Sequence, residues 1–192
     1  MLTNKKLTDF FTPRNAPRTL PPIKRKIAKI IHTMYFDGGS RGNPGPGGAG
    51  YVIYENNEEI AIGAHPFGVC TNNEAEYHGV IQGLKKAISL GIENVNVYGD
   101  SLLVINQIQG NWKCKAKNLL KPLAEARNLV GKFKHITLVH VKREKNKRAD
   151  ELSNIAMDQQ ELSMSIKRFD SLSPLYFKIS SSFFVVGSKS KP

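Results

Sequence analysis

The sequence predicts an α/β fold, a mixed sheet with helices packed on it and flexible N- and C-terminal tails. Three observations carry this. Apolar, partly alternating stretches open the body, a capped stretch of helical period follows, and strand and helix patterns then alternate up to residue 157.

The run IIHTMYFD (residues 30–37) reads as a buried strand ending at Asp37, followed by a Gly- and Pro-rich loop. GYVIYEN (50–56) and EEIAIGAHPFG (58–68) read as the next two strands of an antiparallel meander. Residues 71–90 read as a helix: Thr71 and Glu74 form a capping box, Val80, Leu84, Ala87 and Ile88 supply the apolar stripe, and Gly91 ends it. Within it, Glu76 shares a column with Val80 and Leu84 and leans toward the core. Glu74 heads the polar column His78, Gln82 and Lys85, which is expected to face out. NVNVYGD (94–100) is a strand ending at Asp100, and SLLVINQI (101–108) a short helix. Residues 119–130 form another helix, with Pro122 tolerated in its first turn. HITLVHV (135–141) is the fifth strand, and a last helix over 147–157 turns Leu152, Ile155 and Ala156 inward.

A chain of 192 residues suits one body with tails. The reading divides it into a basic arm, 1–30, a body, 31–160, and a Ser-rich tail, 161–192, whose role is open. No apolar run approaches the roughly 18 residues that span a bilayer, and no secretory signal is visible. A soluble, intracellular monomer with no membrane partner is therefore expected. Cys70 and Cys114 lack metal-ligand spacing and read as free thiols. The net charge of +12 is uneven. Residues 1–33 hold eight basic side chains against Asp9, residues 161–192 five against two acids, and the middle fifteen against thirteen. The tails are thus the general polyanion-attracting parts. Two basic clusters inside the body, Lys113, Lys115, Lys117 and Lys121, then Lys142, Arg143, Lys145, Lys147 and Arg148, lie beside the acidic motifs and favour nucleic acid.

Those motifs carry the chemistry. Asp37 stands in DGGSRGNPGPGGAG, Glu76 in TNNEAE, Asp100 in YGDS and Asp150 in KNKRADELSN. Carboxylates so far apart act together only if the fold gathers them. Once gathered they repel, and are tolerable mainly as ligands for hard divalent cations. That is the donor set of a two-metal phosphodiesterase centre.

In these four frames, over residues 33–160, the chain resembles the ribonuclease H type 1 family, in its short-loop form without the basic protrusion. The resemblance implies a ribonuclease H-like fold with a five-stranded mixed sheet. It also implies cleavage of the RNA strand of RNA–DNA hybrids, giving 5′-phosphate and 3′-hydroxyl ends. Asp37, Glu76, Asp100 and Asp150 would hold two Mg²⁺ ions, about 3.5–4 Å apart, with Mn²⁺ as a substitute and Asp37 as the bridging ligand. Many members place a mobile histidine before the last aspartate. His140 lies in HITLVHV and reads instead as a strand residue. Short-loop members use an arginine, and Arg143 is the matching position; its alternative is an ion pair with Glu144 or Asp150.

For substrate, Gly38, Gly39, Ser40 and Gly42 let backbone approach a shallow minor groove closely. Asn43, Asn72 and Asn73 match family contacts to the hybrid, although the last two also suit helix capping. Thr71 matches a contact to a DNA-strand phosphate, and Ser101 is expected on the RNA side. In NWKCKAKN (111–118), Lys113 and Lys115 are candidates for gripping the DNA backbone, and Trp112 reads as a packing anchor.

In the arm, NKKLTDFF (4–11) resembles the PCNA-interacting box, with Leu7, Phe10 and Phe11 as the plug for a sliding clamp and Asn4 where Gln is usual. Docking of these aromatics on the chain's own body is the alternative. Clamp binding would make the protein a replication or repair nuclease. PPIKRK (21–26) then reads as a nuclear import signal or as a nucleic-acid contact. Rival readings are a noncatalytic nucleic-acid-binding module, a double-stranded RNA nuclease or an integrase-like enzyme on the same scaffold.

Overall fold

The computed structural model describes residues 31–183, with side chains through residue 169. The arm with Leu7, Phe10 and Phe11, and residues 184–192, lie outside the described residues.

Five strands form one sheet in the order β3-β2-β1-β4-β5. They are β1 (His32–Ser40), β2 (Gly45–Glu55), β3 (Glu58–Cys70), β4 (Asn94–Gly99) and β5 (His135–His140). β1–β2 and β2–β3 pair antiparallel, whereas β1–β4 and β4–β5 pair parallel. The tight Glu55–Glu58 turn holds Asn56 and Asn57 at positive φ, a conformation asparagine tolerates. The parallel pairs need crossovers, which the helices supply. α1 (Asn72–Ser89) connects β3 to β4, while α2 (Leu102–Gln109) and α3 (Lys117–Val130) connect β4 to β5. A short 3₁₀ turn, Arg143–Lys145, leads into α4 (Lys147–Phe183).

The alternation of β1 and β2 sorts the two faces. Met34, Phe36, Tyr51 and Ile53 turn to one side and form the core with Val80, Leu84, Val97, Val104 and Leu123 of the other elements. Glycines at 48 and 50 turn to the other side, and α4 lies directly on them. A Cβ on Gly50 would stand 2.5 Å from the Ala149 oxygen and the Ser153 nitrogen, and one on Gly48 2.4 Å from the Met157 nitrogen. At the far end of β2, Gly47 leaves room for the Cys70 sulfur, whose thiol is buried and pushed up to about 11 by that burial.

α1 starts and stops as its sequence dictates. Thr71 Oγ1 accepts from the Glu74 amide at 3.4 Å, and the Glu74 carboxylate accepts from the Thr71 amide at 2.9 Å, closing the capping box. Gly91, at φ +72°, donates to the Ile88 carbonyl while Ile92 donates to Ala87, a Schellman ending.

Several expectations need correction. Ile155, read as inward with Leu152 and Ala156, is 45% exposed, and β2 starts at Gly45, within the stretch read as loop. β1 does not end at Asp37 but runs on to Ser40, because Gly38 and Gly39 still pair with Ala49 and Gly48. α3 begins at Lys117, so Pro122 lies in its second turn, where it withholds the bond the Asn118 carbonyl would accept. The polar column faces water only in part: Lys85 is exposed, but His78 is half-buried, stacked under Phe67 of β3 with centroids 4.0 Å apart, and burial lowers its imidazole to about 4. α4 does not stop near Met157 but continues to Phe183, so the Ser-rich stretch assigned to a tail is helical over most of its length. Among the described residues no helix is long and apolar enough to cross a membrane.

Gly50→Ala is expected to lower stability by about 2 kcal/mol through overpacking against α4, read as a drop in denaturant midpoint. An unchanged midpoint would show that α4 is not seated as described.

Candidate active site

Asp37 sits in mid-β1, paired with Gly50, and its side chain is buried. α1 comes within backbone contact of the next residue: a Cβ on Gly38 would lie 2.1 Å from the Ala75 carbonyl carbon. That approach swings Glu76 over the end of β1, while Asp100 follows the last residue of the adjacent parallel strand. Carboxylate oxygens of Asp37, Glu76 and Asp100 come within 4.8 Å of one another. They open into a cleft of about 350 Å³ that Asp150, Arg143, Ser40, Arg41, Asn72, Ser153 and Asn154 also line. Glu76 thus lies in the acidic cluster and Glu74 in the cap.

The electrostatics are those of crowded anions. Burial pushes the Asp37 carboxyl up to about 6 from its ordinary 3.8; the Ser153 hydroxyl opposes the rise and the Asp100 and Asp150 charges reinforce it. Glu76 is held well above the usual range by burial, then by Asp37 and Asp100. Its Oε2 is enclosed and has no hydrogen-bond partner. Three converging carboxylates, one with an orphaned oxygen, fit a divalent cation, which would relieve the repulsion and satisfy that atom.

Asp150 stands beside the trio, not within it. It opens α4, is ion-paired with Arg143, and accepts from Asn154 Nδ2 at 3.2 Å. The Arg143–Asp150 pair matches the structural alternative raised for Arg143, although the guanidinium also lines the cleft. His140 is the last residue of β5, as expected, and its Nε2–H donates to the Asp100 carbonyl at 3.1 Å.

The predicted substrate residues separate into two groups. Asn72 Oδ1 accepts from the Ser40 amide at 2.8 Å and from Ser40 Oγ at 2.9 Å, while Asn43 Oδ1 accepts from the Asn72 amide at 3.2 Å. Ser40, Asn43 and Asn72 are therefore hydrogen-bonded to one another, Gly38, Ser40 and Asn72 line the cleft with the carboxylates, and Asn73 is exposed in the first turn of α1. Thr71 is committed to the cap. Ser101 precedes α2 without a capping side-chain bond. Lys113 and Lys115 are exposed in the α2–α3 connection and are not among the residues lining the cleft. Trp112 is 45% exposed there, so it anchors less than expected.

Sequence reasoning passed over Asn146 and Ser153, each 1% exposed. Asn146 Nδ2 donates to the Phe36 carbonyl and to Asp100 Oδ1, both at 2.9 Å. Ser153 Oγ hydrogen-bonds to Asp37 Oδ2 and lies 2.9 Å from the Asp150 carbonyl. The spacing from Asp150 to Ser153 and Asn154, three and four residues, was the available signal, since it places all of them on one helix face.

The reverse transcriptase-like family profile matches residues 35–156. The N-terminal RNase H domain of a Mycobacterium tuberculosis protein superposes with a TM-score of 0.68 at 41% identity, covering 70% of this chain and 99% of that one. The chain belongs to the ribonuclease H-like family. Within the family, a bifunctional protein of M. tuberculosis is 44% identical over 124 residues, 64% of this chain and 34% of that protein. Ribonuclease HI of Halobacterium salinarum is 41% identical over 125 residues, 65% of this chain and 63% of that protein. LC11-RNase H1, solved in complex with an RNA/DNA hybrid, superposes with a TM-score of 0.63 at 37% identity, over 67% of this chain and 97% of that one. The chain thus spans about a third of the mycobacterial relative's length and under two thirds of the halobacterial one's.

The raised Asp37 carboxyl gives a signed prediction. Its folded value of about 6 exceeds the ordinary 3.8, so ionised Asp37 weakens the metal-free fold above pH 6, a cost relieved as pH falls through that window. Asp37→Asn is expected to stabilise metal-free protein at pH 7 on the order of 2 kcal/mol, with the gap closing by pH 4. Equal melting of the two at pH 7 would contradict this.

Proposed function

We propose that the protein is a metal-dependent endoribonuclease that cleaves the RNA strand of RNA–DNA hybrids. The observation that carries this reading is the convergence of the Asp37, Glu76 and Asp100 carboxylates within 4.8 Å at the floor of an open cleft. The family resemblance supports it, as does a family neighbour of 37% identity solved with such a hybrid.

Asp37, Glu76 and Asp100, with Asp150 at the margin, would hold Mg²⁺ ions. When bound, a pair of such ions supplies Lewis-acid activation of water and stabilisation of the departing ribose oxygen, giving 5′-phosphate and 3′-hydroxyl ends. The chain's own groups do the rest. Asn146 and Ser153 fix the Asp100 and Asp37 carboxylates by hydrogen bonds. With its oxygen occupied by Ser40, the Asn72 amide group keeps its two N–H donors for a ribose 2′-hydroxyl. Arg143, on the cleft wall beside Asp150, would meet substrate phosphate.

A role at sites of DNA replication rests on sequence alone. Leu7, Phe10 and Phe11 resemble a clamp-binding plug and would deliver the enzyme to primer hybrids. A pull-down with a sliding clamp, comparing wild type with a Phe10→Ala, Phe11→Ala variant, checks this: equal recovery ends the idea.

The deciding experiment incubates the protein and Mg²⁺ with labelled hybrid, duplex RNA and duplex DNA. Cleavage confined to the RNA of the hybrid is expected, and Asp37→Asn or Glu76→Gln should reduce it by more than about 100-fold, beyond the loss typical of a residue that only supports a ligand. Because protons compete for the Asp37 carboxylate, Mg²⁺ affinity should fall as pH drops through about 6. No cleavage of any RNA-containing duplex would reject the proposal.

A further inference from the structure

The loop that links β1 to β2 forms the rim of the cleft, and it is curled tightly: the Arg41 amide donates to the Pro46 carbonyl at 2.9 Å, and a Cβ on Gly45 would lie 2.0 Å from the Arg41 oxygen. One side of this loop is tied to α1 through Asn72, which accepts from Ser40. The other side is tied to α4. The Arg41 guanidinium divides between two carboxylates one turn apart, bonding Asp158 through Nη2 and Glu161 through Nη1, the latter at 2.6 Å. Between them, Gln160 Oε1 accepts from the Gly68 amide at 3.0 Å, fastening the same helical turn to β3.

Arg41 itself lines the catalytic cleft. An unpaired guanidinium beside four acids would be drawn toward them. Two acids on α4 hold it on the outer side instead, in a forked geometry that a planar guanidinium favours. We propose that Asp158 and Glu161 are positioning residues for the hybrid-reading loop. Through Arg41 they hold the backbone of residues 40–45 in the conformation that meets the minor groove. This rests on the hybrid-cleaving reading above, and it gives the part of α4 beyond Met157 a role in substrate binding.

The sign of the effect separates this role from simple electrostatics. Removing two acids near a bound polyanion lowers repulsion and by itself strengthens binding. Loss of positioning weakens it. In the Asp158→Asn, Glu161→Gln double variant, KM for the hybrid is expected to rise roughly 3- to 10-fold, with kcat and the Mg²⁺ midpoint unchanged. Arg41→Lys keeps the charge but loses the fork, and should fall between. Hydrogen exchange at the Ser40 and Arg41 amides, measured on full-length protein without substrate, should quicken in the double variant while the core strands keep their protection. A KM that stays level or falls, or unchanged exchange at those amides, overturns the proposal. Wild-type protein that cuts no hybrid would sink the functional reading, and the exchange comparison would still decide whether this pair orders the loop.

Discussion

Direct contact between helix and strand backbones, at positions stripped of side chains, is the constraint on which the site depends. α1 reaches β1 because Gly38 has no Cβ to strike Ala75, and because Gly79 on the helix presents none to the Asp37 carbonyl, where it would stand 2.5 Å away. α4 reaches β2 over Gly48 and Gly50 in the same manner. A sheet faced by ordinary side chains would hold each helix farther out. Glu76 would then miss Asp37, and Ser153 would lose its hydrogen bond.

The fold accepts an electrostatic cost at that place. Burial and mutual repulsion raise the Asp37 and Glu76 carboxyls, and one Glu76 oxygen has no partner at all. Asn146 and Ser153 offset part of the strain with donors that are themselves buried. A sequence selected for stability alone would replace these acids, so their presence together is an argument for ligand binding as well as a description of the cleft.

Much of this was legible from residues in local frames. The capping box, the stop at Gly91 and the placing of Glu76 on the inner column follow from helical spacing within one segment; the structure has the box, ends the helix before Gly91 and sets Glu76 beside Asp37 and Asp100. What sequence missed depends on contacts between distant segments. The Gly-rich stretch after Asp37 has loop composition, yet it stays in the sheet, paired with Ala49, Gly48 and Gly47 of β2. His78 reads as polar surface until Phe67 of β3 covers it. The long α4 is hidden by serines, which favour helix only weakly. Ser153 reads as an ordinary helix residue and Asn146 as a polar loop residue, since the carboxylates they bond lie 116 and 46 positions away.

Cys70 offers a built-in reporter. Its sulfur occupies the space left by Gly47 at the junction of β2 and β3, and its thiol is held near 11, so almost no thiolate exists at neutral pH. An alkylating reagent can therefore modify it only when that corner of the sheet swings open. The labelling rate at this cysteine measures how often β3 parts from β2 next to the cleft, without any engineered probe.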